Sequence, residues 1–285
     1  MKVLKASLSH ISNLSPYVLA LMLSGIFQFS CTKSERDLDT ETLSSREHGL
    51  ALQLFDGLFR EIHRFSVADS ITNTSGFSFN NNNCIASARF NKTSAQFPVV
   101  LTMVYDSNEC DDGVVRKGQL IAEYTGKYLE KGSVTSVRLK DYVIGSYGVE
   151  GDFTIENTGL SSGKPQFIWR VRNAQITGFN TDISWKGLHT LGWSDGSNTP
   201  GNATDDIFYI LEGQASGRNS RGNAFDATIT SRLVSDFDCK WYPEGRLRMQ
   251  VANLIDRTVS YGEGECDNGI TVRRNNTYFE VEIDY

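Results

Sequence analysis

The chain has 285 residues, 39% hydrophobic and 11% aromatic, with a formal charge of −6. That is apolar matter enough for a sizeable core, in one large β domain or two ordinary ones. A net-acidic chain without a long basic run excludes nucleic acid or anionic lipid as the main electrostatic partner, and 25 glycines against 5 prolines suit many turns between short strands.

Lys2 and Lys5 precede an apolar run, Tyr17 to Phe29 (YVLALMLSGIFQF), of about 13 residues. This length fits the apolar region of a signal peptide and is short for a membrane span. The run ends in Phe29-Ser30-Cys31, a small residue before a cysteine. It resembles a bacterial lipobox, although Gln28 stands where leucine is usual and Phe29 is bulky. Residues 1–30 are therefore expected to be a lipoprotein signal peptide and Cys31 the lipidated new N-terminus. Cysteine parity agrees, because setting Cys31 aside leaves two pairs among the 5 cysteines. Losing residues 1–30 removes Lys2 and Lys5 and no acid, so 26 basic and 34 acidic residues remain, a charge of −8. Residues 31–41 read as a polar tether, in which Lys33, Glu35 and Asp37 look like a loose version of the surface-export signal of Bacteroidetes lipoproteins.

Over residues 42–68, Leu50, Leu54, Leu58 and Ile62, with Phe55, Phe59 and Phe65, recur at three- and four-residue steps. Glu47, Asp56, Arg60, Glu61 and Arg64 occupy most of the opposite face. The pattern predicts an amphipathic helix that lays its apolar face on the β body. His48 and His63 lie on it as exposed or packed side chains. Beyond it, Asp69-Ser70-Ile71 resembles the short O-glycosylation sequon of Bacteroidetes.

Residues 69–285 read as a β-rich domain: a loop-like stretch comes first, and after Cys84 the chain alternates in period two between Gly- and Asn-rich breaks, the mark of antiparallel hairpins. Phe97, Val99, Leu101, Met103 and Tyr105 form one strand face. Leu120, Ala122, Tyr124 and Tyr128 form the next. Phe167, Trp169 and Val171 form an inward face further on. No βαβ spacing is present, so a parallel sheet is not expected. Two stretches repeat: Tyr105 to Gly113 (YDSNECDDG) and Tyr261 to Gly269 (YGEGECDNG), each followed by a basic pair, Arg116-Lys117 and Arg273-Arg274. Cys84 precedes the first and Cys239 the second, which marks related units around 84–128 and 239–285. Four exported cysteines allow three pairings. The duplication favours Cys84–Cys110 and Cys239–Cys266, each loop contributing about 3 kcal/mol in the chain-entropy model. A weaker echo, Val149-Glu150-Gly151 against Leu211-Glu212-Gly213, suggests matching Glu-Gly turns in the middle. The expected fold is all-β: an antiparallel meander closed as a sandwich or open barrel, with internal duplication and one N-terminal amphipathic helix.

These residues carry a resemblance. Cys110 with Asp112-Gly113, Lys117-Gly118 and Gly126-Lys127-Tyr128 make a Cys and Asp-Gly turn, a basic-Gly step and a Gly-Lys-Tyr strand end. With the second repeat they look like the uncharacterised β-rich lipoproteins of Bacteroidetes, over most of the chain after Cys84. The resemblance implies a lipid-anchored envelope protein and no transferable activity.

Chemistry-bearing candidates are few. His189, in WKGLHTLGW, is the only histidine after the helix, with no nucleophile motif near it, so neither a histidine-based triad nor a histidine metal cluster is expected. Glu150, Asp205, Asp206 and Glu212 are carboxylates that a glycosidase would need to pair. Asp195, Asn198, Asp205 and Asp206 resemble a calcium loop without EF-hand spacing. Trp169, Trp185 and Trp193, with Trp241, would stack on sugar rings if exposed together, and would otherwise be core. The expectation is a non-enzymatic structural or binding-accessory lipoprotein of the outer membrane without cofactor or metal. Its partners are the membrane, through the N-terminal lipid, and an envelope protein or glycan, not nucleic acid. Surface glycan binding and carboxylate-based glycoside hydrolysis are the alternatives.

Overall fold

A computed structural model describes residues 41–67, 84–91, 96–199 and 202–285. Residues 1–30, read as a signal peptide, Cys31, residues 32–40 of the expected tether and the sequon-like Asp69-Ser70-Ile71 lie outside the described residues. Helix α1 (Leu43–Val67) comes first. Strands β1 (Ile85–Phe90), β2 (Val99–Glu109), β3 (Val115–Tyr124), β4 (Val134–Ile144), β5 (Tyr147–Ser161), β6 (Lys164–Gly178) and β7 (Thr181–Asp195) follow. Then come β8 (Ile207–Arg218), β9 (Ala224–Ser231), β10 (Leu233–Asp236), β11 (Glu244–Val251), β12 (Arg257–Glu263), β13 (Gly269–Arg274) and β14 (Thr277–Glu282). They form one 14-stranded antiparallel meander in chain order, not closed into a barrel, with β10 alone off the path and paired to β8.

The sheet encloses the helix instead of lying beside it. Within α1 only Arg46 is exposed, while Leu43, Gly57 and Arg64 are half-buried. A helix buried all round belongs to a core, so the expectation of a solvated charged face is corrected. The inward strand residues are those that the alternation predicts: Leu101 and Met103, Leu120 and Ala122, Phe167, Trp169 and Val171 are all buried. Phe55 of α1 stacks on Trp185 at 5.5 Å, and Phe59 meets Phe208 edge-on at 5.0 Å, the two favoured aromatic geometries. Gly187 and Gly213 make room on this face: a Cβ at Gly187 would strike Trp185 and His189, and one at Gly213 would strike His189.

Four aligned irregularities let so wide a sheet curl. Gly118 in β3, Asp141 in β4, Gly151 in β5 and Asn173 in β6 all have positive φ, at 90°, 49°, 145° and 50°. Each sits where the register slips against a neighbour. Bulges bend a strand and increase its twist, and Gly, Asn and Asp are the residues that tolerate this backbone region. At Gly118 a Cβ would overlap the Asp141 carbonyl of the next strand. Glu150-Gly151 and Glu212-Gly213 are therefore not hairpin turns: both lie inside long strands, β5 and β8.

The charges of α1 are satisfied by loops at the two ends of the sheet. Near the N-terminus, Glu47 accepts hydrogen bonds from the Ser220 backbone N–H (2.8 Å) and hydroxyl (2.6 Å), and Arg257 donates to the Glu41 carboxylate at 2.8 Å. In the middle, Asp56 accepts from Ser235 at 2.9 Å and from Arg60 at 2.7 Å. Ser66 and Tyr124 share a hydrogen bond at 2.9 Å. Buried polar groups so partnered fix the rotation of the helix as well as its depth.

Candidate functional site

The strands leave an opening on α1 beside the place where β10 parts from β11. Strand β9 continues into β10 after a single residue, Arg232, yet only β9 pairs with β11. The chain after β10 crosses the C-terminal half of the helix. Arg60 Nη1 donates to the carbonyls of Asp236 (2.9 Å) and Cys239, Arg64 Nη2 to that of Phe237 (3.3 Å), and Gln53 to that of Lys240. Facing this segment is the tip of the β2–β3 hairpin, with Cys110, Asp111 and Asp112. Between them lies a cleft of about 630 Å³, floored by Gln53, Gly57, Arg60, Glu61 and Arg64 and reached by Asn202 to Thr204 and Tyr285. The volume lies within the range of small-ligand sites.

One of the two disulfides lines this cleft, and the other closes the segment beside it. Cys84 is bonded to Cys110 and Cys239 to Cys266, each tying the tip of a hairpin (β2–β3 or β12–β13) to the segment before the preceding strand. The two related units thus present equivalent stapled hairpins. The first lines the cleft through Cys110, and the second reaches it through the Cys239 carbonyl that holds Arg60.

Charge in the cleft is uneven. Arg116, buried in the hairpin wall, donates to both Asp112 oxygens at 2.8 and 2.6 Å. Burial alone would raise the Asp112 carboxyl, but this fork-on-fork pairing holds it below the usual range. On the other side Arg60 is only 7% exposed. Its Nε and Nη1 are engaged, whereas Nη2 is buried with no partner among the described residues. Arg60 and Arg64 both approach the Phe237 ring, at 5.4 and 5.6 Å, and the Lys240 ammonium lies over Trp241 and Tyr285 at 4.6 and 4.3 Å. Burial lowers the Lys240 pKa, Asp112 opposes this, and Arg116 adds to it.

The residues singled out from sequence are placed elsewhere. Trp169, Trp185 and Trp193 are 0%, 2% and 1% exposed, so they cannot stack on a glycan; their rings are the inner wall against α1. Trp241 is half-buried beside Tyr285. His48 accepts a hydrogen bond from Trp185 Nε1 at 3.1 Å, and His189 packs on Trp169 with centroids 4.2 Å apart. Burial takes both imidazoles down to about 3. His63 lies between the Tyr128 hydroxyl (3.0 Å) and Asp206 (3.3 Å), inside a ring of Phe59, Phe167, Trp193, Phe208 and Phe237. Burial lowers its pKa against the pull of Asp206. This Tyr-His-Asp row is sealed from any substrate.

The carboxylates do not converge. Glu150 aligns through Gln175 with Ser184, and Glu212 aligns with Thr190 six residues further along β7. They are three strand spacings apart laterally, roughly 14 Å, and roughly 20 Å along the strand, far beyond the 5–9.5 Å or so that a glycosidase uses. Asp206 is turned inward, bonded to Trp193 Nε1 at 2.9 Å, while Asp205 is exposed and bonded to Thr199, so the two do not share a ligand shell. Among the described residues no group of three His, Cys, Asp or Glu side chains is arranged to hold a metal ion.

Sequence reasoning placed Arg60 and Arg64 on the polar helix face and Arg116 in a basic pair, and did not single out Lys240. A signal was present: Asp56, Arg60 and Arg64 recur at steps of four on a helix otherwise rich in large apolar residues, a stripe that can run along an opening. No family model, curated protein or solved structure matches the chain.

Proposed function

We propose that the protein is a lipid-anchored, non-enzymatic binding accessory of the Gram-negative outer membrane, which meets its partner at the cleft over the C-terminal half of α1. The observation that carries this reading is that the hollow of the open sheet, where a barrel would keep a ligand or a reaction centre, is occupied by the helix. His48, His63 and His189 are spent on packing there, and recognition is left to the rim. The lipobox-like Phe29-Ser30-Cys31, the cysteine parity and the resemblance to Bacteroidetes envelope lipoproteins support the anchor. The paired staples support a role in which a rim of fixed shape matters.

Two measurements test it. Metabolic labelling with a fatty-acid probe is expected to mark the wild-type protein and not Cys31→Ala. Photo-crosslinkers placed at Thr204 and Asp238 in living cells are expected to capture a defined envelope component, whereas one at Thr154, on the outer sheet face, captures none. Equal labelling of Cys31→Ala would remove the anchor from the reading. Indistinguishable capture at all three positions would remove the cleft.

A further inference from the structure

We propose that the cleft is an oxyanion site, binding a small ligand through a carboxylate or phosphate group held by Arg60, Arg64 and Lys240. The inference names a ligand class for the surface read above as the binding face and does not depend on the lipid anchor.

Three observations carry it. The first is the orphaned Arg60 Nη2. A guanidinium more than nine-tenths buried normally has every N–H engaged. Two of its three nitrogens make three contacts, Nε to Asp56 and Nη1 to the carbonyls of Asp236 and Cys239, and the third, Nη2, has none, on a residue that lines the cleft. Such a group is already fixed by its neighbours under the cleft floor, so its charge is offered to an oxyanion with little further loss of freedom.

The second is the clustering of cations on one wall. Arg64 stands one helical turn beyond Arg60, donates to the next carbonyl of the same segment and approaches the same Phe237 ring. Lys240 lines the same wall, held over two aromatic rings and not by a hydrogen-bonded carboxylate. Of the three cations only Arg60 is bonded to an acid among the described residues, to Asp56; Lys240 feels Asp112 and Asp284 at a distance.

The third is the contrast across the cleft. Arg116 on the hairpin wall is neutralised by Asp112 and has Glu61 in electrostatic reach. An oxyanion is therefore drawn to the Phe237–Lys240 side. The ligand's body then faces Glu61, Gln53 and Thr204, groups suited to hydroxyl or amide hydrogens. Asp111 and Asp238 stand exposed on the two lips, where solvent screens them.

The test is calorimetric titration of the full-length protein in detergent micelles at low salt. The probes are inorganic phosphate, galacturonate, and galactose as the uncharged control. Saturable binding of at least one anion below roughly 10 mM and none of galactose is expected. Arg64→Gln and Lys240→Gln should each weaken it about tenfold or more with an unchanged urea midpoint, and the Lys240 ammonium should titrate at higher pH when the ligand is bound. Phosphate alone binding would point to a phosphorylated ligand, and galacturonate alone to a carboxylic acid or acidic sugar. Absence of saturable binding for both anions, or binding untouched by both substitutions, would overturn the proposal. Capture of a partner at Thr204 would then leave the accessory reading standing without it.

Discussion

Lowering the pH from 7 to 5 is expected to destabilise the protein by about 4 kcal/mol through two histidines that touch no ligand. His48 and His189 are buried at the interface between α1 and β7, and desolvation takes each from 6.5 to about 3. In the unfolded chain both titrate near 6.5. Below that value the unfolded state binds protons that the folded state refuses, so stability is full above pH 6.5 and falls as pH drops toward 3. At pH 5 each group costs about 2 kcal/mol on these values, and the two together account for the 4. The carboxyl of Asp112, lowered by Arg116, acts in the opposite part of the scale: its contribution is lost only below about pH 4, outside this window. The assay is urea unfolding followed by tryptophan fluorescence at pH 7, 6 and 5, in wild type and in His48→Gln/His189→Leu. Glutamine keeps an acceptor for Trp185 Nε1 without titrating. The wild type should lose stability steeply, and the double variant should lose the part of that slope that His48 and His189 carry, the buried His63 keeping its own in the same direction. A wild type that changes by less than about 1 kcal/mol, or a variant with the wild-type slope, would refute the linkage.

Three further outcomes follow from the packing. Asp56→Ala should cost about 3–5 kcal/mol, because it leaves the buried Arg60 charge and the Ser235 hydroxyl without their acceptor; a loss below about 1 kcal/mol in urea unfolding would contradict the burial of that pair. Gly118→Val should prevent folding or cost more than about 3 kcal/mol, since φ is +90° and a Cβ meets the Asp141 carbonyl; a thermal midpoint near wild type would show that the bulge row does not bend the sheet. Iodide should quench little of the tryptophan emission in wild type, and Trp241→Phe should remove most of the quenchable part. Quenching that persists in Trp241→Phe would mean that Trp169, Trp185 or Trp193 reaches solvent.

The strands were legible because a half-buried sheet writes its faces into the chain. Phe167, Trp169 and Val171 point inward as alternation requires, and the repeat around Glu-Cys-Asp marked equivalent stapled hairpins. The helix was legible as a helix but not as a core. Glu47, Asp56 and Arg60 read as a polar face because periodicity records polarity, and polarity does not reveal whether Ser220, Ser235 or the Asp236 carbonyl 176 residues away is the partner. Strand β10 was hidden for a related reason: Ser231, Arg232 and Leu233 look like one continuous run, and the split arises only from the competing claims of β8 and β11. The cleft depends on that split, so its residues carried no local signature beyond the four-residue stripe of Asp56, Arg60 and Arg64.

The enclosure of α1 also bears on how the chain reaches this state. The helix precedes every described strand, yet Arg257 holds Glu41 from 216 residues away, and Ile283 fills the space that Gly49 leaves. Its apolar stripe thus emerges first and is covered last, and no early portion of the chain can bury it alone. Such high contact order makes for slow folding with long-lived exposure. A chain stopped short of its final hairpin is therefore expected to leave that stripe uncovered, and removal of β13 and β14 is expected to send it to aggregation and not to a smaller folded form.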